Sequence, residues 1–233
     1  MRLAGVAAGL ALLAAGPVAA QGVDADPAET RCQAAPAVVL VDAGALEQRL
    51  VCDGAARALR FLGDAGLRLP ELTRVHLVDE MPGEMAGRAV GCYLRDTRRV
   101  MLLRWSAFEA TGHWLRWPVE PALYRGAAAH EMAHAVVGCH VDDRALPVTA
   151  HELVAYVTLF ATLDADLRER VLARFGGHGF DTPLQINPIV YVADPLQFGA
   201  DAWRHYRRQR DGAAWLRDVV AGLVVPEFPT DAP

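Results

Sequence analysis

The chain has 233 residues, of which 53% are hydrophobic and 22% charged, and its formal net charge at pH 7 is −5. This length and composition predict an ordinary globular protein with a substantial core, which excludes a disordered or fibrous chain. All basic residues are arginines and they are scattered rather than clustered, so the charge pattern does not indicate binding to nucleic acid or to a membrane surface.

The first 20 residues have the pattern of a secretory signal peptide. A basic start is followed by an apolar run from Leu3 to Leu13, and small residues at Val18 and Ala20 precede a cleavage site after Ala20. The run is too short for a lasting membrane anchor, although an uncleaved anchor or a buried N-terminal helix is the alternative. We therefore predict an exported protein, periplasmic or extracellular, with no membrane segment after cleavage and a loosely held arm at residues 21–36.

Hydrophobic periodicity predicts mainly strands in the first half of the chain and helices in the second. The predicted strands are residues 38–41, residues 74–79, and a hairpin with arms at 92–95 and 99–103. The predicted helices are residues 45–62, 120–138, 147–163, 165–175, 196–210 and 215–222. Together they predict one α+β domain over residues 37–225, with a mixed α/β lobe and short sheet at about 37–140, a mostly helical lobe at about 141–225, and a frayed tail at 226–233.

The predicted helix at residues 120–138 carries the motif His130-Glu131-x-x-His134 in an otherwise apolar sequence. Residues four apart lie one turn apart on the same helical face, so both imidazoles can bind one ion. Glu131 is rotated by about 100° from His130, which leaves it free to hold a water molecule beside the ion. A metal ion would satisfy all three ionisable groups inside an apolar helix. The alternative is a pair of core histidines bonded to backbone carbonyls, with Glu131 at the surface.

Through this motif, over residues 98–160, the chain resembles the zincin metallopeptidases. The resemblance implies a zincin-like fold with the motif helix at a cleft, a bound Zn²⁺, and hydrolysis of peptide bonds by a zinc-bound water with Glu131 as the general base. It also implies that the strand before the motif helix, Val100–Leu103, is the edge of the cleft and pairs with an extended peptide substrate.

A catalytic zinc site needs a third protein ligand, for which two residues compete. Glu152 lies in the next predicted helix among apolar residues, where a carboxylate without a partner is costly to bury. Two histidines on one helix and a glutamate on the next resemble the gluzincin arrangement, so we predict Glu152 as the ligand. His140 would instead match the metzincin spacing, although Val137 stands where that family has glycine and no methionine follows Met132. The remaining alternatives are Asp142, Asp143 and His151.

A developing oxyanion in such a site needs a further hydrogen-bond donor. Tyr156 lies one turn beyond Glu152 and is either a hydrogen-bond partner of that carboxylate or an ordinary core tyrosine. The donor candidates in the C-terminal half, none of them placed by spacing, are Tyr191, His205, Tyr206 and His178.

Four cysteines in an exported chain predict disulfide bonds. Of the three possible pairings we favour Cys32–Cys52 together with Cys92–Cys139. The second bond would tie the end of the motif helix to the strand region before it. A zinc-bound thiolate at Cys139 is the competing interpretation, but it needs a free thiol, which an oxidising compartment disfavours.

These patterns predict an exported zinc metallopeptidase that acts on peptides or proteins, with His130, His134 and Glu152 as metal ligands. Two alternatives stay open. One is a catalytically silent exported protein that binds zinc or a partner, and the other is a zinc hydrolase of non-protein amides.

Overall fold

A computed structural model of the protein describes residues 28–141 and 146–226. The predicted signal peptide and almost all of the predicted tail lie outside these ranges. The strands are β1 (Glu29–Arg31), β2 (Val38–Val41), β3 (Thr73–Val78), β4 (Gly91–Leu94), β5 (Arg99–Leu103), β6 (His113–Trp114) and β7 (Trp117–Pro118). The α-helices are α1 (Ala45–Asp64), α2 (Trp105–Ala110), α3 (Pro121–His140), α4 (Val148–Thr162), α5 (Ala165–Leu172), α6 (Pro188–Ala193), α7 (Pro195–Arg207) and α8 (Gly212–Val220). The protein is therefore a mixed α/β fold with more helix than strand.

Five strands form one mixed sheet in the order β1-β2-β3-β5-β4. The three inner strands are parallel to each other, and the two outer strands, β1 and β4, pair antiparallel. All four residues of β2 are buried, as expected for a strand in the interior of a sheet. Strands β4 and β5 form the predicted hairpin, and Arg98 in its turn adopts a left-handed conformation with φ 51°.

Helices α1 and α3 pack against each other and against one face of this sheet, and α4 packs on both helices. Helix α3 is buried over most of its length, including both His130 and Glu131. Helix α7 packs on the far side of α4, so α4 is enclosed and its residues Leu153 to Leu159 are almost all inaccessible to solvent. One continuous hydrophobic core thus joins the two predicted lobes.

Local sequence accounts for most helix boundaries. Helix α3 begins at Pro121, which suits the first helical position because its missing N–H would be unpaired there anyway. Helices α7 and α8 are capped by Asp194 and Asp211, whose carboxylates accept backbone N–H bonds from the first turn. Helix α1 ends where Gly66 adopts φ +83°, a conformation that favours glycine.

Two expectations about the N-terminal half are wrong. The segment assigned to a loose arm contains β1, which pairs with β2, and Cys32, which is buried in a disulfide, so pairing and the covalent bond hold this part against the sheet. The second error concerns the strand Val100–Leu103. It lies inside the sheet between β3 and β4, and the strand at the edge is β4.

The short elements α2, α6 and the β6–β7 hairpin were not predicted, since six or fewer residues carry too little periodicity to be recognised. Among the helices of residues 28–141 and 146–226, none is both long enough and apolar enough to cross a membrane.

Candidate metal centre

The two histidines of the motif meet in the middle of α3. His130 and His134 lie one turn apart, and their Nε2 atoms approach to 3.1 Å. The His130 residue is only 9% exposed. The helical spacing therefore brings two imidazole nitrogens to one buried point, as predicted.

Glu152, near the N-terminal end of α4, reaches the same point. Its Oε2 lies 3.5 Å from His130 Nε2, and its Oε1 lies 3.6 Å from His134 Nε2. In a tetrahedral zinc site with bonds of about 2.0–2.2 Å, neighbouring ligand atoms are about 3.3–3.6 Å apart. The two imidazole nitrogens and the two carboxylate oxygens thus lie at separations close to those of ligand atoms around one small divalent ion, and these residues could hold a metal.

Glu131 lines the same cleft as the three donors but is not one of the converging residues. The residue is 4% exposed, and its Oε2 is buried with no hydrogen-bond partner among the described residues. Burial raises the pKa of Glu131 to about 7, although the neighbouring His130 opposes this shift. An unpaired buried carboxyl oxygen beside a potential metal site suits a group that holds and accepts a proton from a water molecule.

In the metal-free protein, the pKa values of His130, His134 and Glu152 depend on one another. Burial alone would raise the pKa of Glu152, but its contacts with the two imidazoles lower it to about 2. Burial lowers the pKa of His134 to about 3. Burial also disfavours the charged form of His130, yet the contact with Glu152 outweighs this and raises its pKa. The Glu152 carboxylate therefore favours a positive charge beside it, which a bound cation would supply.

Two tyrosines, Tyr156 and Tyr191, lie beside the residues that could hold the metal. The Tyr156 ring packs edge-on against the His130 ring, with centroids 4.7 Å apart, and lies against Gly199 of α7. The Tyr191 phenol, on α6, lies beside Glu152 and helps to lower the pKa of that carboxyl. The structure therefore places Tyr191, which was predicted as an oxyanion donor, beside Glu152. Tyr156, the predicted partner of that carboxylate, packs against the His130 ring instead.

Of the competing third ligands, neither His140 nor His151 joins the centre. His140, at the end of α3, contacts the backbone N and O of Arg68 through Nε2 at 3.0 and 2.9 Å and is exposed, so it has no access to the motif. The His151 ring stacks on His134 at 6.2 Å and lines the cleft, but it is not among the converging donors. Asp142 and Asp143 lie outside the described residues.

Three of the candidate oxyanion donors, His205, His178 and Tyr206, do not line the cleft. His205 Nδ1 lies 2.8 Å from the Phe180 carbonyl oxygen, and His178 pairs with Asp181 at 2.8 Å on the surface. Tyr206 packs among aromatic rings that include Trp215. These contacts depend on how α7 and α8 dock, which the spacing along the chain does not reveal.

The candidate centre opens into a cleft of about 730 Å³, a size suited to part of an extended ligand. Its walls come from the strand β4 and the turn before it, from α3 and α4, and from α6 and the start of α7. The lining side chains beyond the centre are mostly apolar, with Arg88 and Arg95 as the only formally charged ones besides Glu131 and Glu152 among the described residues. The apolar ones are Met85, Ala89, Val90, Trp114, Val148, Pro195 and Leu196.

Only one of the two favoured disulfides is present. Cys32 and Cys52 are bonded and tie the segment before β2 to α1. Cys92 and Cys139 are free thiols, so the second predicted bond is wrong. Neighbouring residues of a strand point to opposite faces, and Gly91 and Tyr93 are the residues of β4 that face α3. Cys92 therefore points away from the helix that carries Cys139.

Sequence reasoning missed the contribution of β4. Gly91 lies directly against the Glu131 side chain, and Tyr93 lies against Gly138 of α3. The available signal was a glycine directly before the predicted hairpin, since a glycine in a strand often marks the close approach of another group.

The fold and the centre define a mixed α/β protein with a buried two-histidine, one-glutamate group that could hold a metal. Residues 39–229 match a protein family described as a family of unknown function, DUF6639, and the chain belongs to this family. Neither the comparison with curated proteins nor that with solved structures finds a match.

Proposed function

We propose that the protein is an exported zinc-dependent metallopeptidase in which His130, His134 and Glu152 hold the ion and Glu131 is the general base. The observation that carries this proposal is the convergence of the three donor atoms, within 4.8 Å of one another, beside a buried carboxyl group whose Oε2 has no hydrogen-bond partner in the part of the chain that the structure describes. Two imidazoles and one carboxylate are a ligand set that catalytic zinc uses in metallopeptidases.

When bound, a zinc ion supplies Lewis acidity, which polarises a carbonyl group and lowers the pKa of water. The protein side chains transfer the proton and orient the reacting groups. Glu131 receives the proton of the attacking water on its carboxylate and delivers it to the leaving amine. A pKa near 7 suits both halves of this transfer at neutral pH, because the group accepts and releases the proton with little free-energy cost.

The edge strand supports a peptide as the substrate. Within residues 28–141 and 146–226, strand β4 pairs only with β5, so the backbone N–H and C=O groups along its other edge are available to an added strand. Gly91 of this strand lies against Glu131 and Cys92 lines the same cleft. An extended peptide paired with β4 would therefore pass directly by the candidate base.

The disulfide supports export. Bonds such as Cys32–Cys52 persist in oxidising compartments and are rare in the cytosol. This agrees with the secretory pattern at residues 1–20, which lies outside the described residues.

The test is cleavage of casein and of a peptide library by the wild-type protein and by Glu131→Gln. We expect wild-type cleavage that a chelator abolishes and zinc restores. The variant should keep one zinc per chain and lose about 10²–10⁴-fold in kcat, because the base is gone while the ligands remain. The variant, purified in the same way, also controls for contaminating peptidases.

Two outcomes would contradict the proposal. Glu131→Gln that cleaves at the wild-type rate would remove the assigned base. A zinc-loaded wild type that cleaves neither casein nor any library peptide would favour the silent binding protein or a hydrolase of other amides.

A further inference from the structure

The Glu131 side chain lies against the backbone of β4 at a single residue, Gly91. A Cβ atom built on Gly91 would lie 2.7 Å from Glu131 Cγ and Oε1 and 2.8 Å from Cδ. Real Cβ atoms essentially never make contacts under 3.0 Å, and the three nearest atoms all belong to this one side chain. Any larger residue at position 91 would therefore have to displace Glu131 or move the strand.

Backbone conformation does not explain the glycine. Gly91 is part of a regular strand paired with β5 and does not have a positive φ, so other residues could adopt the same backbone there. Position 91 requires a residue without a side chain, because the carboxyl end of Glu131 occupies the space that a side chain would need.

A second close approach fixes which residue of β4 faces the motif. Two residues further along the strand, the Tyr93 ring lies against Gly138 of α3, where a Cβ would be 2.7 Å from the ring. The strand is thus held to the helix at two points, Gly91–Glu131 and Tyr93–Gly138. A shift of one residue would turn positions 91 and 93 to the opposite face of the sheet.

We propose that Gly91 is a positioning residue that sets where the Glu131 carboxylate lies, an inference that rests on the proposed function of Glu131 as the base. With no side chain at position 91, the carboxylate lies against the edge strand itself, between the metal ligands and the backbone that would pair with a peptide. A side chain there would push the carboxylate away from that position without touching a metal ligand.

The first test is a stability cycle that does not depend on activity. In the full-length, zinc-loaded protein, Gly91→Ala should lower Tm by about 2–10 °C, because the added methyl group overpacks the site. In a Glu131→Ala background the same substitution should leave Tm unchanged or raise it, because the clashing atoms are absent. Gly63→Ala is the matched control, since nothing lies within 4 Å of a Cβ at that position and its effect should be the same in both backgrounds. An equal loss of Tm from Gly91→Ala in both backgrounds would overturn the inference.

The second test measures how Gly91→Ala changes kcat and KM separately. Gly91→Ala should keep its zinc content and KM and lose about 10²-fold in kcat, as expected when a reacting group is misplaced by about 1 Å. A loss of zinc, or a change confined to KM, would mean that Gly91 shapes the metal site or the substrate groove instead. If the wild type cleaves no peptide, the proposed function fails, while the stability cycle still decides whether Gly91 places Glu131.

Discussion

At the scale of single residues, the candidate centre is built from groups that would be costly to bury separately. Glu152 is 13% exposed at its side chain and faces two imidazoles at 3.5 and 3.6 Å. His140 carries the same kind of donor as the motif histidines, yet it lies at the surface against Arg68. Burial and the direction of the side chain, rather than residue type, distinguish Glu152, which could bind a metal with the two histidines, from His140, which could not.

The first prediction distinguishes these two residues by metal content. Glu152→Ala should lose its bound zinc, because two imidazoles alone hold the ion far more weakly than three ligands. His140→Ala should keep one zinc per chain after the same dialysis, measured by atomic emission. Full zinc in Glu152→Ala, or its loss in His140→Ala, would reassign the third ligand.

The second prediction concerns pH and the buried carboxyl group of Glu131. Its pKa is raised from 4.5 to about 7 in the folded, metal-free protein. Between these values the folded protein holds a proton that the unfolded chain has released, so the free energy of unfolding falls as the pH rises from about 4.5 to 7. Glu131→Gln lacks this titration and should gain stability relative to wild type over that interval.

Urea unfolding of both metal-free proteins at a series of pH values measures this difference. The other buried groups, including His134 with its lowered pKa, are present in both proteins and largely cancel. A stability difference that stays constant from pH 4.5 to 8 would show that the Glu131 pKa is not raised.

At the scale of elements, α3 is held in place by a close crossing with α1. Gly54 of α1 lies against the α3 backbone, where a Cβ would be 2.3 Å from the Arg125 carbonyl oxygen and 3.1 Å from Ala128 Cβ. Both helices pack on the sheet, so this crossing sets the depth at which α3 carries the motif. The sheet then presents β4, its edge strand, to Glu131.

The third prediction is that Gly54→Ala destabilises the protein by about 1–3 kcal/mol, because the methyl group forces two helix backbones apart. Alanine is the better helix former by about 1 kcal/mol, so the same change at an open site should be neutral or stabilising. Gly63→Ala, on the same helix, is that control. Denaturant unfolding of both variants measures the difference, and equal effects at the two sites would contradict the close crossing.

At the scale of the whole molecule, a covalent bond joins the N-terminal segment to the core. Cys32 and Cys52 are 20 residues apart in sequence and link the segment before β2 to α1. The Cys32 residue is buried, and β1, which precedes it, completes one side of the sheet. The start of the domain is therefore fixed by both pairing and the disulfide.

The fourth prediction is that this bond contributes about 3 kcal/mol on the chain-entropy model for a loop of this length. Replacing Cys32 and Cys52 together by alanine should lower the free energy of unfolding by about that amount. Cys92→Ser should have little effect, since its thiol is free. Thiol titration of the denatured, unreduced protein should find two reactive groups, and a count of zero would mean that Cys92 and Cys139 are bonded after all.

Much of the fold was predictable because it follows from local pattern. The positions of β2, β3, the β4–β5 hairpin and the long helices agree with the predictions to within a few residues. The order of the strands could not be predicted from local pattern. It depends on the pairing between β3 and β5, which places the later strand of the hairpin inside the sheet. The edge position expected of Val100–Leu103 thus belongs to Gly91–Leu94.

The sequence by itself determined that His130 and His134 share a helical face and that Glu131 stands beside them, since the geometry of a single helix depends only on spacing. It also favoured Glu152, because a carboxylate among apolar residues needs a partner. Only the tertiary structure decided that Glu152 and not His140 meets the histidines, that Gly91 lies on Glu131, and that Cys92 and Cys139 point apart. Those facts depend on how distant elements pack, and spacing along the chain carries no record of which faces come together.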